Sequence, residues 1–119
     1  VSTAKITLNL EIDGQQIEGY PLVKRINLDE IQQFSYEKAA SASYTDIPAT
    51  EISNIQLLLI RPSQQLTIRL NGQSDAGIVL SANGILLVLD GTLNAVAANA
   101  QVSNASGSVA IVKGVAGGT

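Results

Sequence analysis

The sequence predicts a single all-β domain over residues 1–119, an antiparallel two-sheet β-sandwich of jelly-roll type. Three observations carry this. Apolar and polar residues alternate with period two in several short runs. Turn pairs containing glycine, Asp13-Gly14, Asn71-Gly72, Asn83-Gly84 and Asp90-Gly91, cut those runs apart. From Asn71 to Thr119 only Asp75, Asp90 and Lys113 carry charge, so this stretch is expected inside a core or against other copies of the chain.

Taken in order, Ile6, Leu8, Leu10 and Ile12 alternate with Lys5, Thr7, Asn9 and Glu11, the pattern of a half-buried strand. Asp13-Gly14 is the preferred pair for a two-residue hairpin turn, because both positions take positive φ. Gln15 to Tyr20 is then expected as the return strand, limited by Pro21. Leu22, Lys24, Ile26 and Leu28 share one face of the next strand. Gln32 to Lys38 fits either a strand face (Phe34, Tyr36, Lys38) or a helix face, and its β-rich surroundings favour the strand. Ala39 to Pro48, rich in small residues and closed by proline, reads as a loop. Leu57 to Ile60 is a continuous apolar run, as in a strand covered on both faces. Leu66, Ile68 and Leu70 mark another half-buried strand. Ala76 to Ala82 and Ile85 to Leu89 follow as strands hinged at Asn83-Gly84, the second ended by Asp90-Gly91. Thr92 to Val102 is rich in Ala and Asn, with helix an option weakened by its Asn and Val content. Ser103 to Gly107 is expected as a turn, Ser108 to Val115 as the last strand, and Ala116 to Thr119 as a frayed or packed tail. About eight to ten short strands, with turns roughly every 7 to 12 residues, suit a sandwich or barrel and not a βα repeat.

Composition narrows the function. The chain is 45% hydrophobic but only 3% aromatic, so its core is built from Ile, Leu, Val and Ala. Charged residues are 14%, below the roughly one quarter usual in globular domains. Weakly polar surface of this kind favours packing against protein neighbours, and a homo-oligomer is expected. With seven scattered Lys and Arg and a net charge of −3, nucleic acid binding is not expected. Ile85 to Leu89, the longest aliphatic run, is far short of the ~20 residues of a membrane helix, so no membrane partner is expected. No signal-peptide pattern is visible, and the absence of Cys fits synthesis in a reducing compartment.

The same absences bear on chemistry. Without His or Cys, neither Ser-His-Asp nor Cys-His catalysis nor imidazole or thiolate metal ligation is available. Asp29-Glu30, the only adjacent acidic pair, would point to opposite faces of a strand. No enzymatic activity, cofactor or metal is expected. Asn71 to Asp75 offers oxygen ligands but lacks the spacing of an EF-hand loop, and reads as a turn. Asn104-Ala105-Ser106 matches a glycosylation triplet, a match that chance readily supplies. Carbohydrate binding needs ring faces, and Phe34, Tyr20, Tyr36 and Tyr44 are the whole aromatic supply. Phe34, Tyr36 and Tyr44 are the candidate ligand or contact residues. Phe34 and Tyr36 share one strand face and fit a sugar platform, though core or interface packing suits them better.

The runs Leu66 to Leu80 and Asn83 to Asp90 resemble small structural proteins of tailed bacteriophages, as do Phe34 to Ala40, Tyr44 to Pro48, Asn104 to Gly107 and Gly114 to Thr119. The likeness spans most of the chain from Phe34 onward. It implies a β-sandwich virion component, made in the host bacterial cytoplasm, that binds copies of itself and other virion proteins. Capsid decoration or a neck-tail position is the role expected first. The alternative is a carbohydrate- or receptor-binding module of a tail or fibre, with a glycan as ligand. The resemblance has no catalytic or binding motif, so it transfers no functional residue.

Overall fold

The computed structural model describes residues 2–49, 51–70, 76–94 and 100–119. The chain opens with β1 (Ser2–Leu8), which pairs antiparallel with β4 (Leu22–Leu28), from Ser2 opposite Leu28 to Leu8 opposite Leu22. Between them lie β2 (Glu11–Ile12) and β3 (Gln15–Gln16), joined at Asp13-Gly14. Both turn residues have positive φ, 53° and 77°, as a tight hairpin turn requires.

Eight further strands form the sandwich: β5 (Glu30–Lys38), β6 (Ala42–Asp46), β7 (Asn54–Pro62), β8 (Leu66–Arg69), β9 (Ile78–Leu80), β10 (Leu86–Asn94), β11 (Gln101–Asn104) and β12 (Ala110–Gly118). One sheet has the order β10-β7-β12-β5 and the other β6-β11-β8-β9. The pairing is nested. β5 pairs with β12, β6 with β11, β7 with β10 and β8 with β9, all antiparallel. A long hairpin rolled onto itself so that alternate pairs fall in opposite sheets is the jelly-roll arrangement, so the fold expected from the sequence is the fold found.

Two apolar layers hold it. Between the sheets lie Phe34, Leu58, Ile60, Leu66, Ile68, Val102 and Val112 among others, closed at one end by Ile47, Ala49 and Ile52. The second layer lies on the opposite, outer face of the first sheet. There Ile26 and Leu28 of β4 pack on Leu57, with Ala4, Ile6, Leu87 and Leu89 around them. β7 is thus buried on both sides at Leu57 and Leu58, as its unbroken apolar run predicts. A bulge completes the pattern. Leu57 faces Gly117 and Ile55 faces Gly118, which leaves Gln56 as an extra residue. That slip turns Ile55 from the Leu57 side to the Leu58 side, where it joins the inter-sheet core.

Several local expectations are corrected. Ala39 to Pro48 is not a loop throughout: the chain turns at Ala39 to Ser41, with Ser41 at φ 56°, and bends again at Pro48, but Ala42–Asp46 between them is a strand on β11. Pairing outweighs the small-residue composition there. The N-terminal alternation does not form one strand to Ile12. β1 stops at Leu8, its partner is β4 and not the Gln15 to Tyr20 segment, and only Gln15–Gln16 of that segment is extended. Asp90-Gly91 does not end its strand, since β10 runs on to Asn94 with an irregular step between Leu89 and Leu93. The helix option for Thr92 to Val102 fails at both ends, which belong to β10 and β11. Ser103, expected in a turn, belongs to β11, and the bend begins after Asn104. The turn expected at Asn71 to Asp75 lies outside the described residues.

The C-terminal segment is the packed alternative, and more. β12 lies between β7 and β5, and its glycines let backbones approach. A Cβ on Gly118 would fall 1.8 Å from the Asn54 carbonyl oxygen, and one on Gly114 2.1 Å from that of Leu59.

Candidate functional site

The three aromatic candidates go to two different places. β5 alternates, so Phe34, Tyr36 and Lys38 share its inward face. Phe34 is buried, Tyr36 is half-buried against the same core, and their ring centroids are 6.1 Å apart with planes tilted by 48°. These rings fill the sandwich and form no outward platform, in line with the packing role that suits them better. The Tyr36 hydroxyl is buried with no hydrogen-bond partner among the described residues, and burial pushes its pKa up to about 12. Lys38 is buried at the end of this face. Its ammonium donates to Thr45 Oγ1, and burial lowers its pKa.

Tyr44 lies on the outer face of the second sheet. The Arg69 guanidinium stands 3.6 Å from its ring centroid, a cation–π contact. The Tyr44 hydroxyl reaches Gly77, where an added Cβ would meet it at 3.3 Å. Beside them Gln101 is opposite both Asp46 and Arg69, and its Nε2 donates to Asp46 Oδ1 at 3.2 Å. Gln101 Oε1 and Arg69 Nε are buried without partners among the described residues. This row is a polar cross-strand brace, with Tyr44 roofed by Arg69 instead of open to a ligand.

The glycosylation triplet has a structural use. Asn104 is fully buried, and its Nδ2 faces the carbonyls of Lys38 (3.1 Å), Ala39 (3.1 Å) and Ser108 (2.8 Å). Its Oδ1 accepts from the Ser106 backbone N–H at 3.0 Å and from the Ser106 hydroxyl. An amide engaged at every position ties the β11–β12 bend to the end of β5 and is closed to a glycan.

Two surfaces stand out instead. The first is the uncovered half of the first sheet's outer face. The β1–β4 ribbon covers Leu57, Leu87, Leu89 and Gly117, but beyond them Arg61 and Lys113 are exposed and directly opposite each other on β7 and β12. They line a cleft of about 220 Å³ with Pro62, Ser63, Asn83 and Ile111. Ile111 is 43% exposed here. Like charges directly opposed across strands are unfavourable by themselves, and no ion pair relieves either one among the described residues. The second surface is the N-terminal arm. From Asn9 to Val23 every residue except Ile17 and Tyr20 is exposed. Leu10 and Ile12 are 42% and 57% exposed, beside the exposed acids Glu11, Asp13 and Glu18.

Sequence reasoning missed both surfaces. Arg61 and Lys113 are far apart in the chain, and only the β7–β12 register makes them neighbours. The arm was hidden because its alternation looked like an ordinary half-buried strand. Among the described residues no cluster of three His, Cys, Asp or Glu could hold a metal ion, and no helix is long and apolar enough to cross a membrane. No protein-family model, curated protein or solved structure matches the chain.

Proposed function

We propose that this protein is a non-enzymatic structural component of a bacteriophage virion, a capsid decoration or neck-tail protein that self-associates and binds a neighbouring virion protein. The observation that carries the reading is a jelly-roll domain that leaves large aliphatic side chains exposed, with Leu10, Ile12, Leu22 and Val23 on the arm and Ile78, Val79, Ile85, Val109 and Ile111 on the sandwich. Apolar surface of this kind suits contacts made in an assembly. The likeness of the chain to phage structural proteins supports the virion setting, and the lack of His and Cys supports a role without catalysis. A tail or fibre sugar-binding module is the second reading. It is less favoured, because Phe34 and Tyr36 face the core and Tyr44 lies under Arg69.

The test is gradient fractionation of particles from cells that make the chain, with quantitative mass spectrometry of the particle band. Several copies per particle are expected. A protein found only as a free monomer outside the particle band overturns the proposal, and selective binding on a glycan array would move the assignment to the second reading.

A further inference from the structure

We infer that β5 of one copy pairs edge to edge with β5 of a second copy, antiparallel across a two-fold axis, so that the two first sheets become one. This pairing rests on the self-association proposed above and gives it a contact. β5 is an outer strand of the first sheet, bonded to β12 on one side only. In an antiparallel ladder alternate residues point their backbone groups to opposite sides. Asn54 and Thr119 exchange both N–H···O bonds at 3.1 Å, and Ser63 N–H donates to Ile111 O at 2.9 Å, so odd-numbered residues along the C-terminal segment face β7. Even-numbered residues of β12 face β5, in line with the bond from Asp29 N–H to Gly118 O at 2.9 Å, and they meet even-numbered residues of β5. Ile31, Gln33, Ser35 and Glu37 are left with N–H and C=O turned to the open edge, and among the described residues no strand pairs with them there. Such a row is a template for a further strand.

The sequence of β5 selects a second copy as that strand. One antiparallel register engages all of these open residues, with Ile31 opposite Glu37 and Gln33 opposite Ser35 in both directions. The same register sets Glu30 opposite Lys38 at each end, Gln32 opposite Tyr36, and Phe34 opposite its own copy at the axis. These even-numbered residues form the closely spaced pairs of the new ladder, where side chains lie nearest. Opposite charges meet at both ends and like charges nowhere, which favours the pairing. The other edges lack this complementarity. Full self-pairing of β1 centres on Lys5 and that of β4 on Arg25, which sets each cation against itself. β10 has an irregular step between Leu89 and Leu93, β6 has one in its pairing with β11, and β9 is only 3 residues long. β5 runs for 9 residues without proline, glycine or a register break. The same edge meets itself, so the contact is isologous and closes at two copies.

The experiment is sedimentation velocity over a concentration series, joined to cross-linking through cysteines added to a chain that has none. Ser35→Pro removes one open N–H, and proline is tolerated on an edge strand whose N–H faces solvent. Circular dichroism and melting temperature check that this variant folds. It is expected to associate at least about tenfold more weakly than the wild type. The register is read with Gln33→Cys and Ser35→Cys, both at exposed positions. With oxidised glutathione, an equimolar mixture of the two is expected to form covalent dimers. Neither variant alone is expected to do so, because like positions sit on a diagonal of about 7–8 Å, at or beyond the reach of a disulfide. Cross-linking decides the matter if Ser35→Pro does not fold. A mixture that fails to cross-link, or a single variant that cross-links with itself as fast, overturns the pairing. A folded Ser35→Pro that associates like the wild type overturns it too and leaves self-association to another surface. A wild type that is monomeric at high concentration removes the self-association reading itself. If Ser35→Pro then drops out of the particle band, the edge serves a different virion protein, and self-pairing is overturned while the virion reading stands.

Discussion

Asn104 is a fully buried polar side chain that stabilises the fold by joining the end of β5 to the β11–β12 bend. The carbonyls of Lys38, Ala39 and Ser108 converge on its amide. Ala39 O also accepts from the Ala42 N–H at 3.3 Å and Ser108 O from the Ser106 hydroxyl at 2.9 Å, so truncation falls chiefly on the buried Lys38 carbonyl. Such a loss costs ~1–3 kcal/mol, and Asn104→Ala is expected to lower stability by that amount in urea denaturation. Tyr36 is the opposite case, a buried hydroxyl with no partner among the described residues. Tyr36→Phe is expected to leave stability unchanged or raise it by up to about 1 kcal/mol. The same residue sets an alkaline limit. Its folded pKa, about 12, lies above the ordinary value of 10.0, so the native state holds the proton more tightly than the unfolded chain. Its contribution is full below pH 10 and is lost as pH rises toward 12. Lys38 works in the other direction. Its folded pKa lies below the ordinary 10.5, so between the two values the unfolded chain binds more protons and stability rises with pH. Urea midpoints across this range should rise and then fall, and Tyr36→Phe should remove Tyr36's share of the fall.

At the scale of elements, β7 and β10 separate two kinds of burial. Leu58 is fully enclosed between the sheets, while Leu87 is half-buried beneath the β1–β4 ribbon. Leu58→Ala is expected to cost about 3–5 kcal/mol and Leu87→Ala about 1–2 kcal/mol, compared by thermal unfolding. Equal costs would mean that the ribbon seals its layer as fully as the second sheet seals the core. Strand identity was legible where alternation or a solid apolar run was strong, as at Leu22 to Leu28, Leu57 to Ile60 and Leu66 to Leu70. It failed where pairing overrode composition. Tyr44 and Thr45 became a strand because β11 supplies partners, and Ala116 to Gly118 became the middle of a sheet because close backbones exclude side chains there. Of the candidate residues, Phe34 and Tyr36 could be placed by alternation alone. Tyr44 could not, since its cover by Arg69 depends on the register of β6, β11 and β8.

For the molecule as a whole, the charge-poor stretch after Asn71 finds its explanation in β11 and β12. Each lies between two neighbours, so their side chains face protein and need few charges. Among its described residues, that stretch leaves outside Ile78 and Val79 on the short edge strand β9, together with Ile85, Val109 and Ile111; Val79 is 62% exposed. Val79→Asp is therefore expected to fold with stability within about 0.5 kcal/mol of the wild type, as read by thermal denaturation. Weaker self-association of that variant would place the β9 edge in a contact.

The nested pairing also sets a timetable. Glu30 meets its partner only when Gly118 has been made, and β6 must wait for β11. A chain leaving the ribosome can form the β1–β4 ribbon early, yet the first sheet lacks an inner strand until residues 110–118 have been made. Contacts of such long sequence separation place folding on the slow, millisecond-to-second side for a domain of this size. Until β12 arrives, β7 has a bare apolar edge on the side β12 will fill, open to strand pairing by any other nascent chain.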